Sequence, residues 1–386
     1  MKGHIRERSP GHWAIILDAR DPQTGKRKRR WHSFQGTKRE AQVETARLIS
    51  ELQSGTAVDP SRITLGAYLD RFERDWAALH TSAASARRYA LSLAYARRHL
   101  GDRRLQALRP ADLAAFYATL SRSLAPRTVK HAHVVLHRAL AQAKLWGLIR
   151  DNPADLAKPP PVPDQEISVL QPDRAQDLLE QLRGHPLYLL AHLALNTGAR
   201  RNELLALRWQ DVDLDRGHLR IETALEQTRA YGIRIKAPKT RKGRRTISLP
   251  ANTVNELRAH WRTQQEQRLA FGMGKAPIDS LVLATIDGGP QVPDAISLAW
   301  GRAMDEIGMP EIMLHSLRHS HASMLIAAGM DVLTISRRLG HASPTITLNT
   351  YGHMIHGTDD RAAQILDQAL GSKMVADSGK GPGNTR

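Results

Sequence analysis

HSLRHSHASMLIAAGMDVLTISRRLGHASPTITLNTYGH, residues 315–353, is the stretch on which the reading of this chain turns. Glycine and proline punctuate it into helices. The first covers 315–328 and stops at Gly329, and the next stops at Gly340. Ser343 and Pro344 then supply an N-cap and a first-turn proline for a helix that carries Tyr351. His315 and Arg318 are three residues apart, so both side chains point at one spot. Leu314, Leu317, Met324 and Leu325 give the same helix an apolar side. Each polar residue has an ordinary reading. His315 and Arg318 suit a solvated face, His341 suits a carbonyl cap just past a helix stop, and a lone tyrosine is usually a core residue with a wet hydroxyl.

Outward from this stretch, residues 197–203 (TGARRNE) open a helix running toward Leu207. Arg200 and Glu203 are spaced to pair on it, and the ordinary reading is a surface ion pair of little worth. Strand-like segments follow at 218–223, around 232–236 and at 244–249. The turn between the last two contains Lys239 and Gly243. Asn252 caps a helix to about Phe271, and another helix covers 294–307. A short helix at about 359–370 carries Ala362, Ile365, Leu366 and Ala369, and residues 372–386 form a disordered tail.

Upstream, residues 151–167 are a Pro-rich linker, with five prolines in 152–163 (NPADLAKPPPVP). Residues 62–150 read as helical, with helices over about 65–79, from Ser85 to Gly101, from Pro110, and from Pro126 to Gly147. Residues 1–57 read as a small α+β module. Trp13, Ile15, Leu17 and Ala19 alternate as in a half-buried strand. A turn at 21–25 (DPQTG) leads into a basic second strand, KRKRRWHSF, residues 26–34. Thr37 and Glu40 form a capping box that starts a helix to about Gln53, stopped at Gly55.

The chain has 386 residues, which predicts two or three domains. Lys and Arg number 56 against 38 Asp and Glu, a formal net charge of +18 spread along the whole length. Nucleic acid is the natural partner of such a chain, and a membrane surface or a ribosome-associated role fits less well. There are no cysteines, so disulfides, thiolate nucleophiles and Cys-ligated zinc are excluded. No apolar run suits a membrane span or a signal peptide, and a cytoplasmic location is expected.

Taken together, Thr197–Glu203, Lys239 within PKT, His315–His319, LGH ending at His341, and Tyr351 ten residues later resemble the tyrosine recombinases, in particular phage-type integrases. The resemblance spans nearly the whole chain. It implies a multidomain, mainly α protein with small β-sheets. An α+β arm-binding module (1–57), an all-α, SAM-like core-binding domain (62–150) and a mixed α+β catalytic domain (168–371) would follow one another. It implies catalytic roles for Arg200, Lys239, His315, Arg318, His341 and Tyr351, with Lys242 a rival to Lys239 because turn lengths vary there. Ser316 departs from the acidic residue that many relatives carry. It implies cleavage through a 3′-phosphotyrosyl intermediate, without ATP, metal or other cofactor. In that scheme the two arginines clamp the phosphate, Lys239 protonates the leaving 5′ oxygen, His315 accepts the phenolic proton, His341 positions the phosphate and Glu203 braces the site.

The implied partners are double-stranded DNA at core and arm attachment sites, three further copies of the chain, an excisionase and a DNA-bending host protein. Two duplexes cut on four strands by one tyrosine each require a tetramer on DNA, assembled from free monomers. The helix at 359–370, with an apolar face too small to fold alone, is expected to dock on a neighbouring protomer. Lys26, Arg27, Lys28, Arg29 and Arg30 are the expected arm-DNA contacts, against a basic tail that binds phosphates without sequence preference. Competing readings are a type IB topoisomerase, a sequence-specific DNA-binding regulator without chemistry, and a metallohydrolase built on His315, His319 and His321. The last lacks the H-E-x-x-H pattern and has an arginine inside the cluster.

Overall fold

A computed structural model describes residues 3–20, 27–53, 58, 60–163, 168–228, 231–237, 241–352, 363–368 and 370. The chain divides into two compact units, Met1–Asp164 and Gln165–Arg386. The division falls inside the Pro-rich stretch. The expected turn at 21–25, the Gly55 stop and the 372–386 tail lie outside the described residues.

In the first unit, β1 (Gly3–Ser9), β2 (His12–Arg20) and β3 (Arg27–Gln35) form an antiparallel sheet in the order β1-β2-β3. The residue pattern alone suggested two strands, and β1 is the third. Its sequence, GHIRERS, is too polar to show apolar alternation. Helix α1 (Lys38–Gln53) starts at the expected capping box, with Glu40 Oε2 accepting from the Thr37 amide at 2.7 Å. Ile15, Leu17 and Leu48 form the core between sheet and helix. Ala14 and Ile16 are buried as well, which the alternation did not predict. The cause is the central position of β2, where Ile16 lies between His4 and Trp31.

The helical part of this unit begins with α2 (Leu65–Phe72), one π turn (Glu73–Ala77) and α3 (Ala78–His80). It continues with α4 (Ala83–Leu100), α5 (Pro110–Ser121) and α6 (Pro126–Leu145). Ser82 caps α4, three residues before the expected start, because its hydroxyl accepts from the Ser85 amide. Pro110 and Pro126 sit in first turns, where a missing N–H costs nothing. Leu69, Phe72, Leu93, Leu113, Leu136 and Leu140 are among the side chains sealing one core.

The second unit is helical around two small sheets. Helix α7 (Pro172–Gln181) leads to α8 (Tyr188–Thr197), which is buried along most of its length, and to the one-turn α9 (Arg201–Leu204). Strands β4 (Val212–Asp213), β5 (His218–Ile221) and β8 (Arg245–Ser248) form one antiparallel sheet, and β6 (Ala224–Thr228) with β7 (Gly232–Lys236) form a hairpin. Helices α10 (Ala251–Ala270), α11 (Pro293–Glu306), α12 (Leu314–Ala327), α13 (Val332–Leu339) and α14 (Pro344–Tyr351) complete it. Pro250 takes the N-cap position of α10 that Asn252 was expected to hold. Helix α9 stops short of Leu207 because the chain there turns to pair with another segment. The Val282 amide donates to Leu207 O and the Trp209 amide to Ser280 O. Of the expected helix at 359–370, residues 363–368 and 370 are described and helical, and Ala362 and Ala369 lie outside the described side chains. Ile365, Leu366 and Leu370 are exposed.

Candidate active site

Two helix ends build the site. Helix α8 ends at Gly198 and α13 at Gly340, both left-handed, with φ of 63° and 67°. A Cβ at Gly198 would lie 2.6 Å from the His321 ring, and one at Gly340 would lie 2.8 Å from Arg245 Nη1. The last carbonyls of each helix have no intrahelical donor and carry the negative end of the helix dipole. Arginines fill that need. Arg318 is buried and donates to Gly198 O at 2.5 Å and to Leu339 O at 2.7 Å. Arg245 donates to Arg338 O at 2.6 Å, and Arg338 to Asn196 O and Ser248 O at 2.9 and 3.1 Å.

Glu203 is the buried counter-charge. Its carboxylate accepts from the Arg200 amide at 2.9 Å, from Arg200 Nη1 at 2.8 Å and from Arg245 Nη2 at 2.8 Å. Burial alone would raise its pKa, but the hydrogen bond and charge of Arg245, with Arg200, hold it below the usual carboxylate range. The Arg200–Glu203 pair is therefore not the weak surface pair that spacing alone allowed. Arg200 keeps its guanidinium partly open to solvent, whereas Arg318 is sealed. Burial, then Arg200 and Arg245, bring the Arg318 pKa down to about 9.

Tyr351 closes α14 with its ring among Ala322, Ile335 and Leu339. Its hydroxyl is 2.7 Å from Nδ1 of His319, and burial pushes its pKa up to about 12 against the opposing pull of Arg318. His319 in turn meets His315 edge to face, with ring centroids 4.8 Å apart. The tight surroundings of the His315 ring, then Arg318 and Arg200, hold its pKa below the ordinary value. His341 Nδ1 lies 2.7 Å from Thr347 Oγ1, and burial followed by Arg318, Arg200 and Arg245 brings its pKa to about 4. Burial and the neighbouring arginines thus favour the uncharged form of His315 and of His341. Arg200, Arg245 and Arg318 outnumber the one carboxylate, Glu203, and leave the site net positive and suited to an anion.

Lys239 lies outside the described residues. Its rival Lys242 donates to Ala342 O at 2.9 Å, beside His341. Lys242, Arg244, Arg337 and His341 help line a cavity of about 440 Å³. Lys26 also lies outside the described residues, as do the side chains of Arg27, Lys28 and Arg30. Arg29 is exposed on β3, 3.5 Å from Asp18.

Residues 168–356 match the phage integrase family. The second unit carries a domain of that family. A XerC-like tyrosine recombinase of Caldanaerobacter subterraneus is 26% identical over 354 residues, covering 86% of this chain and 90% of its own. The Tn1549 transposon integrase, solved in complex with a circular intermediate DNA, has 20% identity and a TM-score of 0.68. It covers 80% of this chain and 100% of that one. A lambda integrase tetramer bound to a Holliday junction has 20% identity and a TM-score of 0.55, covering 90% and 94%. At these identities the two solved structures establish the shared fold.

Against this phage integrase fold, five of the six expected catalytic residues are described. Arg200, His315, Arg318 and His341 act on one another electrostatically, and Tyr351 joins them through His319 and Arg318. Sequence reasoning gave the phenolic proton to His315, but the ring in contact with Tyr351 is that of His319. Arg245 and Arg338 were also missed. A basic residue among 56 carries no mark in one sequence, although the adjoining LGH and the RRTIS strand lay in plain view. The supposed metal histidines diverge. His319 goes to Tyr351, while His321 bonds Leu195 O and accepts from Arg338. Among the described residues no cluster of three His, Cys, Asp or Glu is placed to hold a metal ion. No described helix is long and apolar enough to cross a membrane.

Proposed function

We propose that this tyrosine-type site-specific recombinase cleaves DNA by attack of Tyr351 on a phosphate held by Arg200, Arg318, His315 and His341. The observation that carries the reading is the convergence of four separate stretches on one net positive site beside the Tyr351 hydroxyl. Arg200 has the exposure to reach a bound phosphate, and Arg318 fixes the charge behind it. Their fields favour the extra negative charge of the transition state more than the ground state. The covalent 3′-phosphotyrosyl bond stores the phosphoester, so rejoining needs no ATP. Nicked duplexes from the ends of the DNA element that carries this gene provide the test. Wild-type protein should become covalently linked to them at their 3′ phosphate. Persistent free protein on such duplexes would count against the reading.

Lys239 is the acid for the leaving 5′ oxygen in this scheme. Lys239→Ala should slow cleavage by about 10²- to 10⁴-fold, the usual worth of general acid catalysis. A duplex with sulfur at the bridging 5′ position should restore it, because sulfur leaves unprotonated. Lys242→Ala should respond equally to both duplexes, since Lys242 is engaged with Ala342 O. Rescue of Lys242→Ala alone would transfer the role.

The domains divide the DNA between them in the same proposal. Residues 62–150 and 168–371 grip the core site, and residues 1–57 read arm sites through the basic strand at 26–30. Two features support this: the basic β3 on a three-stranded sheet, and the Pro-rich division of the chain. A chain starting at residue 58 should keep core-site cleavage and lose footprints at arm sites. Unchanged arm protection would reject the assignment. We further propose a tetramer on DNA, monomers in its absence, and docking of the exposed Ile365, Leu366 and Leu370 on a neighbouring copy. An excisionase and a DNA-bending protein belong to the same scheme, as does action in the cytoplasm.

A further inference from the structure

Among the described residues, the Tyr351 hydroxyl meets His319 Nδ1 at 2.7 Å. His319 lies one helical turn after His315 on α12, so the two rings share a face. Ring contact runs from His315 to His319 and from His319 to Tyr351. The phenol itself is only 2% exposed. A proton leaving it therefore has an acceptor in place without crossing solvent.

We propose that His319, and not His315, takes the phenolic proton of Tyr351 during strand cleavage. The proposal rests on the reading of Tyr351 as the nucleophile. Tyr351 Oη forms a bond to phosphorus as its proton passes to His319 Nδ1, giving an imidazolium. The bond from phosphorus to the 5′ oxygen breaks, and that oxygen takes a proton from the acid assigned to Lys239. In rejoining, the 5′ hydroxyl attacks phosphorus and returns its proton to the group assigned to Lys239, and the departing phenolate recovers its proton from His319. The neutral ring must carry its resting hydrogen on Nε2, so that Nδ1 accepts.

The surroundings explain why the proton does not move before DNA arrives. Burial, then His315 and Arg318, hold the His319 pKa at about 4, and burial raises that of Tyr351 to about 12. Both groups rest uncharged. A phosphodiester beside Arg200, His315 and Arg318 brings negative charge next to His319, which favours its protonated form. The base thus gains strength when substrate binds, and the nucleophile stays protected until then.

The test measures single-turnover cleavage of the nicked element-end duplex. His319→Asn keeps an acceptor oxygen near Tyr351 but cannot hold the proton, and it should cleave about 10²- to 10⁴-fold more slowly. Difluorotyrosine at position 351 gives a more acidic phenol that needs less help. It should recover about tenfold or more of that loss, and change His315→Asn little. A merely structural histidine would show no rescue by phenol acidity. Wild-type cleavage by His319→Asn, or rescue of His315→Asn in its place, would overturn the proposal. If His319→Asn does not melt cooperatively, His319→Gln carries the same comparison, and the His315→Asn arm still decides between the two rings. Failure of wild-type protein to form any covalent adduct would instead sink the Tyr351 reading.

Discussion

Tyr351→Phe should lose more than about 10⁴-fold in strand cleavage, the scale on which removal of a covalent nucleophile acts. DNA affinity should stay near wild type. The substitution removes one oxygen and no charge. The ring remains packed among Ala322, Ile335 and Leu339, so α14 keeps its seat. What disappears is the atom hydrogen-bonded to His319. His319 then keeps an unpartnered nitrogen in a half-buried place, at a stability cost of about 1 kcal/mol. Gel-shift titration and trapping on the same nicked duplex separate the two effects. A covalent adduct formed by the phenylalanine variant would remove Tyr351 from the nucleophile's role. Equal losses of binding and cleavage would place it at the DNA surface.

The second large effect is on the frame. Glu203→Ala should destabilise the second unit by about 3–5 kcal/mol, because it strands the buried Arg245 guanidinium and frees Arg200. For a unit of this size that corresponds to a fall of roughly 10 °C in its melting temperature. Glu203→Gln, which keeps the shape and loses the charge, should fall between. The pH dependence has a definite sign. The folded pKa lies below the unfolded one, so the stabilisation is complete above the ordinary carboxyl range and fades as pH falls through the depressed folded value. Melting curves from pH 7 downward should therefore converge for wild type and Glu203→Ala. A constant gap would show that Glu203 acts through packing and not through its charge.

The helices around the site were legible because their punctuation is chemical. Gly329, Gly340, Ser343 and Pro344 can do few other things, and the structure places helix ends at each. The family motif likewise carried Arg200, Arg318, His315, His341 and Tyr351, with Arg200 more than a hundred positions before the rest. Legibility ended where meaning depends on three-dimensional neighbours. His319 is one more histidine in HSLRHSH until α14 lays Tyr351 against it. Arg245 and Arg338 are two basic residues in a basic chain until two helix ends present bare carbonyls to them. Strand β1 was hidden for another reason. An edge strand facing solvent has little need for apolar side chains, so alternation gives no signal.

The two left-handed glycines have a consequence for anyone wishing to retarget this enzyme. Gly198 and Gly340 present the carbonyls that fix Arg318 and Arg200, and neighbouring side chains already occupy the space a methyl group would need. A mutational library spread over the second unit would thus return two empty columns flanking the chemistry. Exposed side chains around them, Leu333, Ile346 and Leu348 among these, meet no such steric bar. Selection for a new recognition sequence therefore explores the rim of a fixed frame, and sequence choice can drift while the reaction it serves stays the same.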